Sequence, residues 1–353
     1  MPTSPGSSKH SDWQPSASLR ALRLRARLLA CTRAFFAERG LLEVETPQLS
    51  SAAATDVHLE SLRAAPPGGG LAGWLHTSPE FPMKRLLCAG AGDIWQLARV
   101  FRGAERGRRH NPEFSLLEWY RVGWQAAELM DEVDALLRSL AAEAAPSTVA
   151  PSTAAPSTTT HSIPAALRLA DTRRLSYRAA FLEYAGFDPF AAPAGEIIQA
   201  LEDRGITVPA GLEDDRDAAL DLALATLVEP GFDPAQPTFV YDFPASHAAL
   251  ARIRPGDPPV AERFELFLGG MELANGFQEL TDADEQAARF RADLLARRRR
   301  GLVAPPVDDR LLAAMAQGLP ECAGVALGFD RLVMILAGAA QIDDVLAFPW
   351  GQA

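Results

Sequence analysis

Apolar residues recur at helical spacing in three stretches of the chain. Residues 18 to 40 form the first predicted helix, with Gly40 as a favourable stop. Its apolar face comprises Leu22, Ala26, Leu29 and Phe36. The second predicted helix runs from residue 128 to 144, and its apolar face comprises Leu129, Val133, Leu136, Leu137 and Leu140. The third runs from Ala283 to Arg300 and ends in four arginines, which favour a helix C-terminus and are expected to face solvent.

Shorter runs with a period of two predict strands between these helices. The runs are Ile94 to Phe101, Glu113 to Tyr120, Thr238 to Phe243 and Glu262 to Gly269. Residues 174 to 235 are predicted as helices with loops, and residues 327 to 337 as a helix after a short strand at Val325. Strands that follow one another, with helices on one side, favour an α+β fold built on a largely antiparallel sheet.

Composition changes abruptly after the second predicted helix. The tetrapeptide Ala-Pro-Ser-Thr occurs three times at a five-residue period between residues 145 and 158. Such a segment has almost no apolar surface to offset the entropy of ordering. We therefore predict a disordered insertion at residues 144–162, a disordered N-terminus at residues 1–15, and one catalytic domain over residues 16–353.

Charge and cysteine content narrow the possible functions. The net charge of -11 is unfavourable for a nucleic-acid surface, which usually carries a basic excess. Cys31, Cys88 and Cys322 show no metal-ligand spacing, which is typical of a reducing compartment. No run of about twenty apolar residues is present, and the N-terminus lacks an apolar signal core. We expect a cytoplasmic protein that does not act at a membrane.

The segment from Arg102 to Tyr120 carries the strongest chemical signal. Phe114, Leu116, Glu118 and Tyr120 share one face of the predicted strand. An acid among aromatic residues suits a pocket for a cationic ligand. Arg102 precedes the strand, and its planar guanidinium suits a phosphate or carboxylate group.

This segment resembles motif 2 of the class II aminoacyl-tRNA synthetases, in particular the lysyl branch. The stretch from Gly40 to Pro47 resembles motif 1, and the stretch from Gly324 to Leu332 resembles motif 3. Glu262–Glu265 and Glu272–Leu280 resemble the acidic strands of the lysyl branch. The four resemblances occur in the family's order from about residue 18 to residue 350, which is far more specific than any single motif.

Within that class, the layout is similar to the ligases that attach β-lysine to a lysine of elongation factor P. Lysyl-tRNA synthetases carry an anticodon-binding domain before motif 1, and residues 1–14 are too few to form one. The segment from Thr77 to Leu87 also resembles the ligases more closely. The resemblance implies a homodimer that uses ATP, Mg²⁺ and (R)-β-lysine, with elongation factor P and not tRNA as the acceptor.

The implied reaction is activation of a carboxylate as an acyl-adenylate, followed by transfer to an amine. By resemblance, Arg102 and Arg331 are the catalytic residues, and Phe114 and Arg331 enclose the adenine. Arg109 is implied to reach the phosphates. The full set implied to bind ATP is Arg102, Gly103, Ala104, His110, Asn111, Phe114, Glu272, Leu273, Gly328 and Arg331.

Acidic residues account for the remaining implied contacts. Glu265 and Glu272 flank a Gly-Gly turn, which predicts adjacent antiparallel strands and a shared Mg²⁺ between them. The amino-acid pocket is implied to be acidic because β-lysine carries two ammonium groups. Its implied members are Ser78, Pro79, Glu80, Glu118, Tyr120, Asn275, Glu279 and Ala326.

Two departures from the lysyl pattern bear on specificity. Gly103 and Ala104 follow Arg102 where the family has Asn-Glu, so the role of that glutamate is shifted to Glu105 or lost. Ala326 replaces a glycine of motif 3, and its methyl group is expected to favour β-lysine over α-lysine by about 1–3 kcal/mol. Gly324 and Gly328 are expected to keep the backbone close to the ligand.

Two other interpretations compete with this one. The chain could be a truncated lysyl-tRNA synthetase-like ligase that uses α-lysine with tRNA or another acceptor. It could also be a non-catalytic binding module, although such paralogues tend to lose the ATP arginines or the metal acids, and all of these are present here. The implied dimer would form through the helix at residues 18–40 and the strand that ends at Pro47.

Overall fold

The computed structural model describes residues 13–65, 72–103, 105–145 and 169–353. Its main sheet has nine strands, mostly antiparallel. Eight of them lie in the order β1 (Leu42–Glu43), β5 (Ile94–Phe101), β6 (Glu113–Val122), β12 (Cys322–Gly328), β11 (Met271–Gln278), β10 (Val260–Leu268), β8 (Thr238–Pro244) and β7 (Arg173–Ser176). β9 (Ile253–Arg254) pairs with β10. A smaller sheet contains β2 (Leu49–Ser50), β4 (Gly73–Leu75) and β3 (Arg63–Ala64).

Nine α-helices accompany these sheets in the described ranges. They are α1 (Leu19–Glu38), α2 (Glu80–Cys88), α3 (Ala126–Ala144), α4 (Tyr177–Ala180), α5 (Ala194–Glu202), α6 (Arg216–Ala223), α7 (Ala283–Arg299), α8 (Asp309–Gly318) and α9 (Phe329–Ala337). The predicted α+β class is confirmed.

The main core fills the space between the sheet and the helices α1, α3 and α9. Trp119, Phe36 and Phe329 are among its fully buried side chains. On β6, Leu117 and Trp119 point into this core, whereas Leu116, Glu118 and Tyr120 line a cavity on the opposite face. The predicted alternation of this strand therefore places Glu118 and Tyr120 on the face that is free of α1 and α3.

A second hydrophobic cluster packs beside the sheet at the β8 and β10 end. It is built largely from α4, α5 and α6, with Tyr177, Phe181 and Phe243 at its centre. Phe267 of β10 joins it. This cluster holds α6 against the cavity, since Asp217 and Asp221 of α6 lie in the cavity wall.

Asp330, buried at the start of α9, connects three elements of the fold. Its carboxylate pairs with Arg25 of α1 and accepts from the Ser115 backbone N–H of β6 at 2.7 Å. Arg25 also donates to the Ser115 hydroxyl at 2.7 Å. Removing one partner of a buried ion pair leaves an uncompensated charge, so this cluster fixes the position of its neighbour Arg331.

Several predicted boundaries were wrong, for identifiable reasons. Leu327 belongs to β12 because it pairs with both β6 and β11, so the helix begins at Phe329. Residues 174–176 lie in β7, which pairs with β8, a partner that local patterning does not show. Ala144 is buried within α3 and is not part of an insertion. Residues 146–162 of the predicted insertion and residues 1–12 of the predicted N-terminal segment lie outside the described residues.

The apolar stripe predicted for α1 matches its buried residues only in part. The buried residues of this helix are Leu24, Leu28, Thr32, Phe35 and Phe36, and they pack on the chain's own core. Ala26 is exposed, and Leu22 and Leu29 are only half-buried. Arg297 is a further correction, because it is buried and donates to the Leu59 carbonyl oxygen at 3.0 Å instead of facing solvent.

Candidate active site

A cavity of about 1000 Å³ lies over the polar face of the central strands. β6, β11 and β12 form its floor, and the segment that leads into α2 forms one wall. The predicted residues that line it are Ser78, Glu80, Arg102, Glu118, Tyr120, Asn275, Glu279, Gly324 and Ala326. The structure thus brings together most of the residues that sequence reasoning assigned to the amino acid.

Glu118 lies at the bottom of this cavity and is almost completely buried. The hydroxyl groups of Ser78 and Tyr120 donate to its two carboxylate oxygens at 2.6 and 2.7 Å. Burial, together with the negative charge of Glu80, raises the pKa of Glu118 to about 8, although these two hydrogen bonds oppose the shift. A positive group that enters the cavity would restore its charged form.

Lys84, which supplies the buried positive charge of this site, was not assigned from the sequence. Its ammonium is fully buried and lies 2.6 Å from both Glu80 and Glu279. Burial alone would lower the pKa of Lys84, but the carboxylates of Glu279 and Glu80 raise it well above its ordinary value. Glu80 and Lys84 are four residues apart on α2, so helical spacing could have revealed the pair.

Glu279 shares the Lys84 ammonium but is itself completely buried. Burial raises its pKa to about 7, opposed by Lys84 and reinforced by Glu80. Two carboxylates, those of Glu80 and Glu279, therefore contact one internal cation, and the third carboxylate, that of Glu118, lies beside them. When all three are ionised, the group retains two negative charges.

Motif 3 forms the other part of the floor. Ala326 lies between Glu118 on one side and Asn275 on the other, so its methyl group occupies the centre of the cavity floor. A Cβ at Gly324 would collide with Glu279 and Tyr120. A glycine is thus required at that position by protein atoms alone. Asn275 has a buried amide oxygen without a hydrogen-bond partner among the described residues.

Arg102 lies where β5 gives way to the motif 2 loop and reaches the cavity wall. Its guanidinium carbon stands 5.0 Å from the centre of the Phe114 ring. Glu105 is a distant partner at 3.4 Å, and the buried Nε of Arg102 has no hydrogen-bond partner in the described parts of the chain. The donors of this arginine are therefore available to an anion.

Arg331, Glu272 and His110 form a second polar group. Arg331 donates to the Glu272 carbonyl oxygen at 2.8 Å and contacts the His110 Nε2 atom at 2.5 Å. Burial lowers the pKa of His110, and the charge of Arg331 lowers it further. The imidazole is thus neutral and holds one edge of the guanidinium.

Glu265 and Glu272 lie on adjacent antiparallel strands, as predicted. A register shift after Leu266 places Glu272 opposite Phe267, and therefore on the same face as Glu265. Burial raises the pKa of Glu265 to about 7; the neighbouring Arg263 opposes this shift, and Glu272 adds to it. Arg263 pairs directly with Glu265 and was not assigned from the sequence.

Not every predicted contact residue is free to meet a ligand. Asn111 donates to the Glu113 carbonyl oxygen at 2.6 Å and accepts from the Trp350 N–H at 2.9 Å, so its amide is already engaged. Leu273 is buried in the main core. Pro79 caps the start of α2 and does not line the cavity.

Gly103, Gly328 and Ala104 are the remaining residues of the predicted ATP-binding set. The Gly103 N–H donates to the Glu60 carbonyl oxygen at 2.8 Å. A Cβ at Gly328 would meet its nearest atoms at 3.6 Å, so protein atoms leave room for a methyl group there, unlike at Gly324. Ala104 lies outside the described residues.

The fold and the cavity together define a class of protein. The chain belongs to the family of class II tRNA synthetases (D, K and N), whose model matches residues 7–352. Motif 2 on β5 and β6, motif 3 on β12 and α9, and the acidic strands β10 and β11 all meet at the cavity or beside it.

Individual relatives narrow the class further. The chain is 47% identical over 348 residues to the elongation factor P--(R)-beta-lysine ligase of Vibrio cholerae, covering 98% of this chain and 99% of the relative. It is 46% identical to the protein of that name from Yersinia enterocolitica over 350 residues, with 98% and 100% covered. The Pectobacterium atrosepticum protein of that name is also 46% identical, over 345 residues, with 97% and 98% covered.

Proposed function

We propose that this protein is an ATP-dependent ligase that activates (R)-β-lysine as an adenylate and transfers it to a lysine side chain of elongation factor P. The observation that carries the proposal is the buried acid group at the end of the cavity. Glu80 and Glu279 pair with one internal cation, Lys84, and Glu118 lies beside them, so the ionised group leaves two charges for a ligand. The curated relatives support the identity of both substrates.

The amino acid is held by charge. Buried carboxylates without partners are costly, so a ligand with two ammonium groups matches the two remaining charges. Ser78 and Tyr120 fix the orientation of Glu118, and Asn275 offers an unpartnered amide oxygen beside Ala326. A monoammonium amino acid would leave one buried carboxylate uncompensated.

Activation requires two anions to approach each other. In this step the substrate carboxylate attacks the α-phosphorus of ATP, and pyrophosphate leaves. Arg102 lies beside the amino-acid end with unpaired donors, so it is placed to bridge the carboxylate and the α-phosphate. Arg331, held by the Glu272 carbonyl oxygen and His110, would meet the distal phosphates.

The chemistry of Glu265 and Glu272 fits a divalent cation. Two carboxylates on one sheet face, one with a raised pKa, are hard oxygen ligands that gain from a shared positive charge. Bound Mg²⁺ would neutralise charge on the phosphates. Arg263 already supplies one positive charge to Glu265, so Glu272 would be the freer ligand of the two.

In the second half-reaction the acceptor amine attacks the carbonyl carbon of the adenylate. The new C–N bond forms, the C–O bond to phosphate breaks, AMP leaves with the electron pair, and the attacking nitrogen gives one proton to solvent. Little covalent work falls on the protein, since placement of the two reactants supplies most of the rate.

We propose a homodimer as the assembly. β1 lies at the edge of the main sheet, and its Leu42 side chain is exposed, as is Leu49 of β2. Together with the exposed Leu19 of α1, these residues are apolar surface that this part of the chain would offer to a second copy. Sedimentation at micromolar concentration tests this, and a monomer would contradict it.

The reaction itself is tested by mass spectrometry. The protein is incubated with ATP and β-lysine, and with either elongation factor P or tRNA. We expect elongation factor P to gain the mass of one β-lysyl group and tRNA to gain none. Efficient transfer of α-lysine to tRNA would replace the proposal with the truncated-synthetase alternative. Arg102→Ala, treated identically, controls for uncatalysed labelling.

A further inference from the structure

A second group of titratable side chains lies in the wall of the same cavity. Asp217 and Asp221 are one turn apart on α6, and His247 follows β8. The His247 ring nitrogens lie 3.4 Å from Asp217 and 3.7 Å from Asp221. None of these three residues belongs to the motifs that carry the synthetase resemblance.

This group forms no ion pair with a lysine or an arginine in the described ranges of the chain, although the Ser246 hydroxyl donates to Asp217 at 2.8 Å. Neither aspartate pairs with a lysine or an arginine there, whereas the nearby Asp215 pairs with Arg300 at 3.1 Å. The side chain of His247 is only 8% exposed, and its buried Nε2 atom has no hydrogen-bond partner among the described residues. A buried polar atom of this kind is costly unless a ligand completes it.

The aspartates themselves are open to solvent. Their side chains are 41% and 58% exposed for Asp217 and Asp221, so the group faces the cavity entrance and not its floor. Arg263 joins it to the catalytic region, because this arginine donates to the His247 carbonyl oxygen at 3.0 Å and pairs with Glu265. A side chain that enters here would approach the place where the adenylate is proposed to form.

The polar atoms of Asp217, Asp221 and His247 indicate which kind of ligand would bind there. Two carboxylates and an imidazole nitrogen are acceptors for the three N–H donors of an ammonium group. Among the described residues, Asp217, Asp221 and His247 are not arranged as a group of three ligands for one metal ion. Glu80, Glu118 and Glu279 already account for both ammonium groups of the amino acid.

We infer that Asp217, Asp221 and His247 receive the ammonium group of the acceptor lysine side chain, which then gives one proton to solvent before the neutral amine attacks. This inference rests on the proposed function, since it assigns a binding site to that reaction's second substrate. The lysine stem would cross the cavity from its entrance. The carboxylates would attract and orient the amine, and Arg263 would keep His247 in position.

The test separates activation from transfer. The double variant Asp217→Asn/Asp221→Asn is assayed for ATP–pyrophosphate exchange with β-lysine, for trapping of the adenylate by hydroxylamine, and for transfer to elongation factor P. Hydroxylamine is a neutral nucleophile near pH 7, so it does not need an ammonium site. We expect the KM for elongation factor P to rise about tenfold, with the loss confined to transfer.

Two further variants serve as comparisons. Asp214→Asn removes an exposed carboxylate just before α6 that is not part of the cavity wall, and it should behave as the wild type. Asp217→Glu retains the charge and should lose little. An unchanged KM for elongation factor P in the double variant would overturn the inference. So would an equal loss of hydroxylamine trapping, because the group would then serve activation.

The two proposals fail differently. If the wild-type protein forms no β-lysyl adenylate in the exchange assay, the proposed function is wrong. The acceptor site, which depends on that function, is then also wrong. If the wild type forms the adenylate and the double variant transfers it to elongation factor P normally, only the acceptor site is overturned.

Discussion

The two ends of the cavity are built in different ways. At the amino-acid end, Glu118, Glu279 and Lys84 are almost fully buried and joined to their neighbours by short contacts. At the proposed nucleotide end, Arg102 in the wall of this cavity and Arg109 in a second cavity are 25% and 47% exposed, with ion-pair partners at 3.4 and 4.0 Å. The amino-acid end is therefore preorganised in the free protein, whereas the arginines of the proposed nucleotide end keep hydrogen-bond donors that are free to bind a ligand.

This difference follows from the charge that each ligand brings. A small diammonium compound cannot organise three buried glutamates, so the protein holds them with Lys84, Ser78 and Tyr120. ATP carries several negative charges and can draw exposed arginines towards itself. Substitutions at the nucleotide end should therefore reduce activity without unfolding the chain, whereas those at the amino-acid end should affect both.

The largest effect is expected from Arg102→Ala. Loss of the bridging guanidinium should lower the rate of pyrophosphate exchange by about 100- to 1000-fold, in line with the loss of a preorganised donor in other enzymes. The melting temperature should change little, because Arg102 is partly exposed and not a core residue. Arg106→Ala, in the same loop and exposed, is the matched control. Exchange at near wild-type rate in Arg102→Ala would remove this residue from the mechanism.

Lys84→Met should produce the next largest effect, on stability. The substitution leaves Glu80 and Glu279 without their shared cation, which costs about 3–5 kcal/mol for a buried pair. Urea denaturation measures the loss. The double variant Lys84→Met/Glu279→Gln should recover part of it, since one of the two carboxylates is then neutral. Equal stability of the wild type and the single variant would show that the charges at this end are not coupled.

The sequence predicted the cavity floor better than its walls. Alternation along β6 placed Leu116, Glu118 and Tyr120 on one face without any tertiary information. Lys84 was missed although its four-residue spacing from Glu80 was visible, because a lysine in an acidic pocket for a cation was not expected. His247 gave no sequence signal, since only the packing of α6 beside β8 brings the two aspartates to it.

Elements that depend on distant partners were also hard to predict. β7 is a strand because β8 pairs with it, and Leu327 is extended because two neighbouring strands bond to it. The apolar residues around Leu327 continue to Phe329, the first residue of α9, so no polar residue marks the boundary between the strand and the helix. Tertiary hydrogen bonding overrode the local preference in both places.

A change of pH is expected to have an effect of intermediate size, on the affinity for β-lysine. The folded-state pKa values of Glu118 and Glu279 are raised to about 8 and about 7 by burial, so in the free protein both hold protons that the unfolded chain releases at lower pH. The stability of the free protein should thus fall as pH rises through these values. β-lysine needs the ionised carboxylates, so its binding should release protons and strengthen by about 100-fold or more from pH 6 to pH 8.

Calorimetry measures this release directly. Binding of β-lysine is followed at pH 7 in two buffers of different ionisation enthalpy, and Glu118→Gln, which cannot titrate, should release fewer protons. Affinity that falls as the pH rises, or no proton release, would be incompatible with carboxylates that are protonated in the free protein.

The smallest effect is expected from Ala326→Gly. This methyl group lies between Glu118 and Asn275, and its removal deepens the floor where the amine-bearing carbon is positioned. The ratio of kcat/KM for α-lysine over β-lysine should rise, by about tenfold or less, as expected for one methyl group. The ratio is measured by pyrophosphate exchange, with the acceptor unchanged. An unchanged ratio would assign Ala326 to packing alone.

The central claim is that the amino-acid end is built for two positive charges. Pyrophosphate exchange with β-lysine, compared with the analogue that lacks only the terminal amine, tests it most directly. We expect kcat/KM for the analogue to fall by about 100-fold or more, because one buried carboxylate is left uncompensated. Comparable kcat/KM values for the two compounds would show instead that the three glutamates do not discriminate between substrates by charge.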